Sequence, residues 1–304
     1  MRAQPDHPSA IDLTLHRRLN AFNRARLTPR IPEDHGSSGE DASSDRALLE
    51  LSSELSMRDA EEHFVAGERA SIAGAAAAAP RDAERFVRWF EALRQNGPGQ
   101  NDPLFPWLAR TASLEQLRWF LTQEVAGEAG FEDLLALTQV KLPEQAKLEM
   151  ARNFWDEMGR GHAAGMHGPM LARLAQALDV TAPVESIVPE SLALGNLMIA
   201  LATRRSYAYH AVGALGVIEL TAPDRAAHVN VGLGRLGIAA HERQYFALHA
   251  TLDKQHAEAW NREVLKSLAR SHPHTIRAMA EGALLRLHAG ARCFARYRRE
   301  LGLR

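Results

Sequence analysis

Apolar residues recur at three- and four-residue intervals along most of the chain, and no segment alternates strictly between apolar and polar. The first spacing lines one face of an α-helix, whereas a half-buried strand needs period two. The pattern predicts a helix from residue 46 through LLELSSELSMRDAEEHFVAGERA, and another over RDAERFVRWFEALRQ, ended by Asn96-Gly97-Pro98. A long amphipathic helix, SLEQLRWFLTQEVAGEAGFEDLLALTQ, opens at Ser113 with the Ser-x-x-Gln of a capping box. KLPEQAKLEMARNFWDEMG starts at Pro143 and runs into Gly159 and Gly161, and HGPMLARLAQALDV follows. PESLALGNLMIALATRRSYAYHAVGALGVIEL reads as nearly continuous helix as far as Pro223. Two more helices carry HATLDKQH and HPHTIRAMAEGALLRLHAGARCFARYRREL. The fold class is all-α.

Residues 1–45 hold one short helix candidate, IDLTLHRRLNAF, then TPRIPEDHGSSGEDASSD, whose Pro, Ser, Gly and acid content marks a linker. The expected organisation is a flexible tail over 1–45, a helical extension over 46–100 and the main domain over 101–304. The extension is assigned to a homodimer contact. With 304 residues, 46% of them hydrophobic, the chain can bury a full core. A formal charge of −1 argues against nucleic acid or an anionic membrane surface as partner. No apolar run reaches the ~20 residues of a membrane helix, and MRAQPDHPSA lacks the apolar segment of a secretory signal. One cysteine excludes an internal disulfide, so a cytoplasmic protein is expected.

Two motifs are set aside on context. GLGRLG, from Gly232 to Gly237, has the spacing of a dinucleotide-binding loop. That loop needs a strand before it, and here its neighbours are helices, so its glycines relax a helix connection. Cys293 has no partner base in its helix and reads as a packing residue.

The chemistry concentrates elsewhere. In HATLDKQH, His249, Asp253 and His256 stand at i, i+4 and i+7, within roughly 60° of one another on a helix. Alone, such histidines are usually solvated decoration. Upstream, NFWDEMGRGHAAGMHGPML places Glu157 at the end of one helix and His167 at the start of the next, with His162 exposed in the loop between. Glu219 closes the apolar run AVGALGVIEL, where an unpaired buried charge would be costly. Three carboxylates and three imidazoles on four helices suit two hard-to-borderline ions such as Fe(II), and suit structural zinc poorly.

In these residues the chain resembles the haem-oxygenase-like diiron oxidases and oxygenases, the iron-containing redox enzymes. The resemblance runs from about Leu104 to Leu301 and rests on the order and spacing of NFWDEMGRGHAAGMHGPML, VIEL and HATLDKQH. It implies a haem-oxygenase-like helical bundle in which Glu157, His167, Glu219, His249, Asp253 and His256 ligate two irons. A further carboxylate comes from the first core helix in some members, and Glu124 and Glu128 both qualify. It also implies two irons per chain passing between Fe(II) and Fe(III), O2 as co-substrate, a small organic substrate and scope for an external electron donor. The reactions of that family are N-oxygenation, desaturation and oxidative C–C cleavage. The rival readings are an iron-binding scaffold of the same fold and a haem-binding or cofactor-free relative.

Overall fold

The computed structural model describes residues 11–29, 40–127 and 130–303. Among them there is no strand, and the fold is an all-α, haem-oxygenase-like bundle. Near the amino end lie α1 (Leu13–Leu27), α2 (Glu40–Ala77) and α3 (Ala83–Asn96). The bundle continues with α4 (Leu104–Arg110), α5 (Leu114–Gly127), α6 (Phe131–Thr138), α7 (Glu144–Glu157) and α8 (His167–Ala177). Its centre is α9 (Pro189–Thr203) and α10 (Ala208–Arg235), followed by α11 (Gln244–Ala259), α12 (Lys266–Ser271) and α13 (Ile276–Glu300). Every residue of α9 from Ser191 to Ala202 is buried, as expected of a helix that is apolar all round. α10 packs against α9, α11 and α13 and so runs through the core.

Several boundaries follow the sequence. The capping box forms in both directions, Gln116 N–H donating to Ser113 Oγ and Ser113 N–H to Gln116 Oε1. α3 stops at Gly97, and α7 starts directly after Pro143. GLGRLG terminates α10, with Gly237 just beyond it at φ 83°. Cys293 is buried, and burial pushes its thiol up to about 12, so it packs rather than reacts.

Other boundaries differ. The helix expected without interruption from Ser113 breaks before α6, where Gly130 takes φ 68°, a conformation that costs glycine nothing. The run expected from Pro189 to Pro223 breaks at Arg204, which is extended, and then continues past the proline to Arg235. Pro223 is buried, and tertiary packing on several sides of α10 outweighs the helix bond it removes, that to the Glu219 carbonyl. Part of the expected tail is packed: His16, Leu19 and Asn23 of α1 are buried, and Asn23 Nδ2 donates to Asn196 Oδ1 of α9 at 2.9 Å. An amphipathic face with such a docking site does not stay free. α2 begins at Glu40, inside the stretch read as linker, while 1–10 and 30–39 lie outside the described residues. No helix among the described residues is long and apolar enough to cross a membrane.

Candidate metal centre

Glu157 is the last residue of α7 and His167 the first of α8, and the turn between them folds back on itself. An isolated antiparallel bridge pairs Met158 with Met166, which brings the two helix ends together. Gly159 makes that pinch possible: at φ 61°, any Cβ would stand 2.4 Å from the Gly165 carbonyl carbon. The outcome is that His167 Nδ1 lies 2.6 Å from Glu157 Oε2, with both side chains buried. His162, in the same turn, is exposed.

α11 presents His249, Asp253 and His256 toward this point, and α10 presents Glu219. Two sets of ligand-type atoms result, each within 4.8 Å of one another: Glu157, His167 and His249, and Glu157, Glu219 and His256. Glu157 belongs to both. Asp253 is buried and lines the same cleft as Glu157, Glu219 and His249, but stands in neither triad. Glu124 is half-buried and also lines that cleft; Glu128 lies outside the described residues.

The hydrogen bonds around the triads orient the imidazoles. His256 Nε2 donates to Asp156 Oδ2 at 3.2 Å, so Nδ1, 3.4 Å from Glu219 Oε2, is the nitrogen that gives up its proton when the ring binds a cation. His249 Nδ1 donates to the Tyr245 carbonyl, one turn back, at 2.7 Å, so Nε2 carries its lone pair. Asn153, one turn before Glu157, donates to Glu219 Oε1 at 2.7 Å. Supporting bonds of this kind fix the tautomer and aim of metal-binding groups.

What remains unsatisfied is informative. Neither ring nitrogen of His167 has a hydrogen-bond partner, although Glu157 Oε2 is only 2.6 Å away, and Nδ1 of His256 has none either. Buried nitrogens are seldom left so. Ligand atoms that are close but misaligned for bonding one another converge on a common third position, as a cation requires. Electrostatics agree. Burial, with Glu219 and Glu132 adding to it, pushes the Glu157 carboxyl up to about 8, so without a cation it holds a proton at neutral pH. Burial disfavours charge on His256, but the carboxylates of Glu219 and Asp156 outweigh it and lift its pKa to about 9. His167 is lowered by burial and by His256. Protons thus occupy positions that cations could take.

Three functional groups escaped sequence reasoning. Asn153 had a usable signal, since it shares the helix face of Glu157 four residues on. Asp156 was visible beside Glu157, but its partner His256 is distant in sequence. Glu132 of α6 lines a second cavity with Glu157, His167 and His249, and its carboxylate lies 2.7 Å from where a Cβ on Gly168 would stand. Within one long amphipathic helix, nothing in its spacing sets it apart from the other acids.

The model of the iron-containing redox enzyme family matches residues 118–291, more than half of the chain and the whole span of both triads. The chain belongs to this family. No curated protein matches it. As an iron-containing redox enzyme it is an iron-dependent oxidoreductase, and the buried carboxylate–imidazole cluster is where its described residues can hold metal.

Proposed function

We propose that the protein is a non-haem diiron oxidase or oxygenase acting on a small organic substrate with O2. The reading is carried by one observation: Glu157 stands in two triads at once, one completed by two imidazoles and the other by a carboxylate and an imidazole. Glu157, His167 and His249 would hold one iron, and Glu157, Glu219 and His256 the other, with Asp253 and Glu124 as nearby carboxylates. A haem site would ask for a single axial histidine and no carboxylate cluster. When bound, the two irons supply the one-electron chemistry by which O2 oxidises an organic molecule. The chain's own residues do the rest. Asp156 and the Tyr245 carbonyl hold the imidazole protons of His256 and His249 away from the ions. Asn153 fixes the Glu219 carboxylate, and the Phe-lined cleft beside the cluster admits substrate and excludes bulk water.

The shared ligand makes the test specific. Anaerobic titration with Fe(II) should load two ions per chain. His249→Ala and His256→Ala should each retain about one, because they belong to different triads, whereas Glu157→Ala should lose both. O2 uptake by the loaded protein should require the full pair. A wild-type stoichiometry of one, or equal loss in all three variants, refutes the reading.

A further inference from the structure

Most of the extension over residues 46–100 belongs to the bundle itself. Met57, Val65 and Ile72 of α2 and Phe86, Phe90 and Leu93 of α3 are buried. α2 first meets its neighbours at Met57, whose sulfur accepts from Arg18 Nη2 at 3.5 Å, and at the Arg58 carbonyl, which accepts from Arg204 Nη1 at 3.1 Å. The turns before that point differ. From 45 to 56 every residue of α2 is exposed except Glu54, which is half-buried. With the described residues, this arm makes no hydrogen bond or ion pair outside its own helix: Arg46 pairs with Glu50, and Glu54 with Arg58. It nevertheless carries Leu48, Leu49, Leu51 and Leu55, which are 64%, 73%, 54% and 59% exposed.

Single exposed leucines are ordinary, but several together on one helix mark an interaction site. Leu48, Leu51 and Leu55 stand at i, i+3 and i+7 and share one face of the arm, the spacing of a helix-pairing seam. The stretches outside the described residues, 1–10 and 30–39, offer only Met1 and Ile31 as large apolar side chains, too few to cover it. An anionic membrane matches poorly: residues 45–59 hold four acids and two arginines, whereas helices that lie on membranes are rich in Lys and Arg. A second copy of the arm matches well. Laid antiparallel about an axis between Leu51 and Ser52, two arms put Leu48 opposite Leu55 of the partner subunit and Arg58 opposite Asp45 of the partner subunit. Each contact then occurs twice, as a two-fold interface requires. Parallel arms would instead set Arg58 against Arg58 of the partner subunit and Glu54 beside Asp59 of the partner subunit, like charges in both cases.

We propose that this arm of α2 joins two copies of the chain as an antiparallel helix pair, with Leu48, Leu51 and Leu55 in the seam. The arm is roughly 18 Å long, so two of them bury less than the ~1,200 Å² at which lasting complexes begin. The dimer is therefore reversible, forming and dissociating at micromolar concentration. It stands independently of what the metal centre binds.

Sedimentation velocity of the full chain from about 1 to 200 µM tests this, with hydrogen exchange measured over the same range. The sedimentation coefficient should rise from that of a monomer to that of a dimer, and exchange over residues 45–56 should slow in step. Leu51→Glu combined with Leu55→Glu should keep the protein monomeric throughout. Its melting temperature at the lowest concentration and its iron content should match wild type, because these side chains lie exposed in the single chain. Arg58→Asp and Asp45→Arg should each raise the dissociation constant up to about tenfold, since each removes two ion pairs, and their combination should restore most of the loss. A wild-type chain that stays monomeric at every concentration overturns the proposal, and one that then binds phosphatidylglycerol vesicles assigns the arm to a membrane surface instead. A dimer that survives the double leucine variant, or that forms without slowing exchange in the arm, also overturns it. So does a charge swap that restores nothing, because the arms then do not lie antiparallel.

Discussion

α10 and α13 cross with almost nothing between them. A Cβ built on Gly213 would lie 1.9 Å from the Met279 carbonyl oxygen, and one on Gly282 would lie 1.8 Å from the His210 carbonyl oxygen. Real Cβ atoms essentially never come within 3.0 Å of such a neighbour, so Gly213→Ala forces the helices apart by at least 1.1 Å. The obstacle is backbone on both sides, and no side chain can rotate away. A gap of about 1 Å forfeits a quarter to a half of each dispersion contact across it, and overpacking in cores costs roughly 1–3 kcal/mol. This crossing belongs at the top of that range. The helix propensity gained by alanine, about 1 kcal/mol, offsets part, leaving a net loss of roughly 2 kcal/mol. For a chain of 304 residues, with an unfolding entropy of about 2.1 cal/mol/K per residue, that lowers the melting temperature by roughly 3 °C.

The control is the same substitution elsewhere. Gly74 sits exposed in α2 with nothing within 4 Å of its would-be Cβ, so Gly74→Ala should stabilise by about 0.5–1 kcal/mol through helix propensity alone. Thermal unfolding followed by circular dichroism decides between them. Opposite signs support the crossing; a Gly213→Ala variant that melts within 1 °C of wild type refutes it. Glu219 rides on α10 six residues beyond Gly213, so the displaced helix should also weaken metal uptake by the triad that contains Glu219 and His256.

Two further outcomes follow from single contacts. Asp156→Ala removes the acceptor of His256 Nε2–H, and iron affinity measured by competition with a chelator should fall about 10–100-fold, with helical content preserved; unchanged affinity would remove Asp156 from the centre. Burial lowers the His16 pKa to about 4, with Arg292 adding to it against the opposing pull of Asp12. The folded ring then stays neutral while the unfolded one takes a proton near 6.5, so stability is full above pH 6.5 and lost as pH falls toward 4, by about 2 kcal/mol at pH 5. Urea midpoints at pH 7.5 and 5 should differ less in His16→Gln than in wild type, and an equal difference in both counts against the assignment.

The parts of the site that were legible in sequence are those whose geometry is local. His249, Asp253 and His256 share one helix face, so their spacing alone places them together; Glu157 and His167 flank a glycine-rich turn that cannot be long. Glu219 was legible for a different reason, as a charge at the end of an apolar run that had to be compensated. What sequence could not give was the third dimension between helices. That Glu157 is common to both triads depends on where α10 and α11 lie relative to the end of α7, and no periodicity encodes a distance between helices 60 residues apart. Asp156 shows the limit most plainly. Its helix position faces half outward, and Arg160 one turn on offers an ordinary surface pair. Only the approach of α11 gives it His256, and with it a part in deciding which imidazole nitrogen can meet a metal.

The breaks in the helices tell the same story from the backbone. Gly130, Arg204 and Pro223 were each misjudged by propensity, and each lies beside the cluster or at an end of an element that builds it. Gly130 turns the chain so that Glu132 meets Gly168 and the His167 side of the centre. Pro223 withholds a helix bond from the carbonyl of Glu219, the residue whose carboxylate enters a triad. After His256 the α-helix widens into a π turn over Trp260–Leu265, with Trp260 stacked so closely on α10 that a Cβ at Gly216 would stand 2.4 Å from its Nε1. π turns within helices tend to occur at functional sites because they re-aim side chains without ending the helix. Local preference is overridden here at the places where ligand-type groups must be aimed across the bundle, and the stability given up locally is recovered in the packed α9–α10–α13 core.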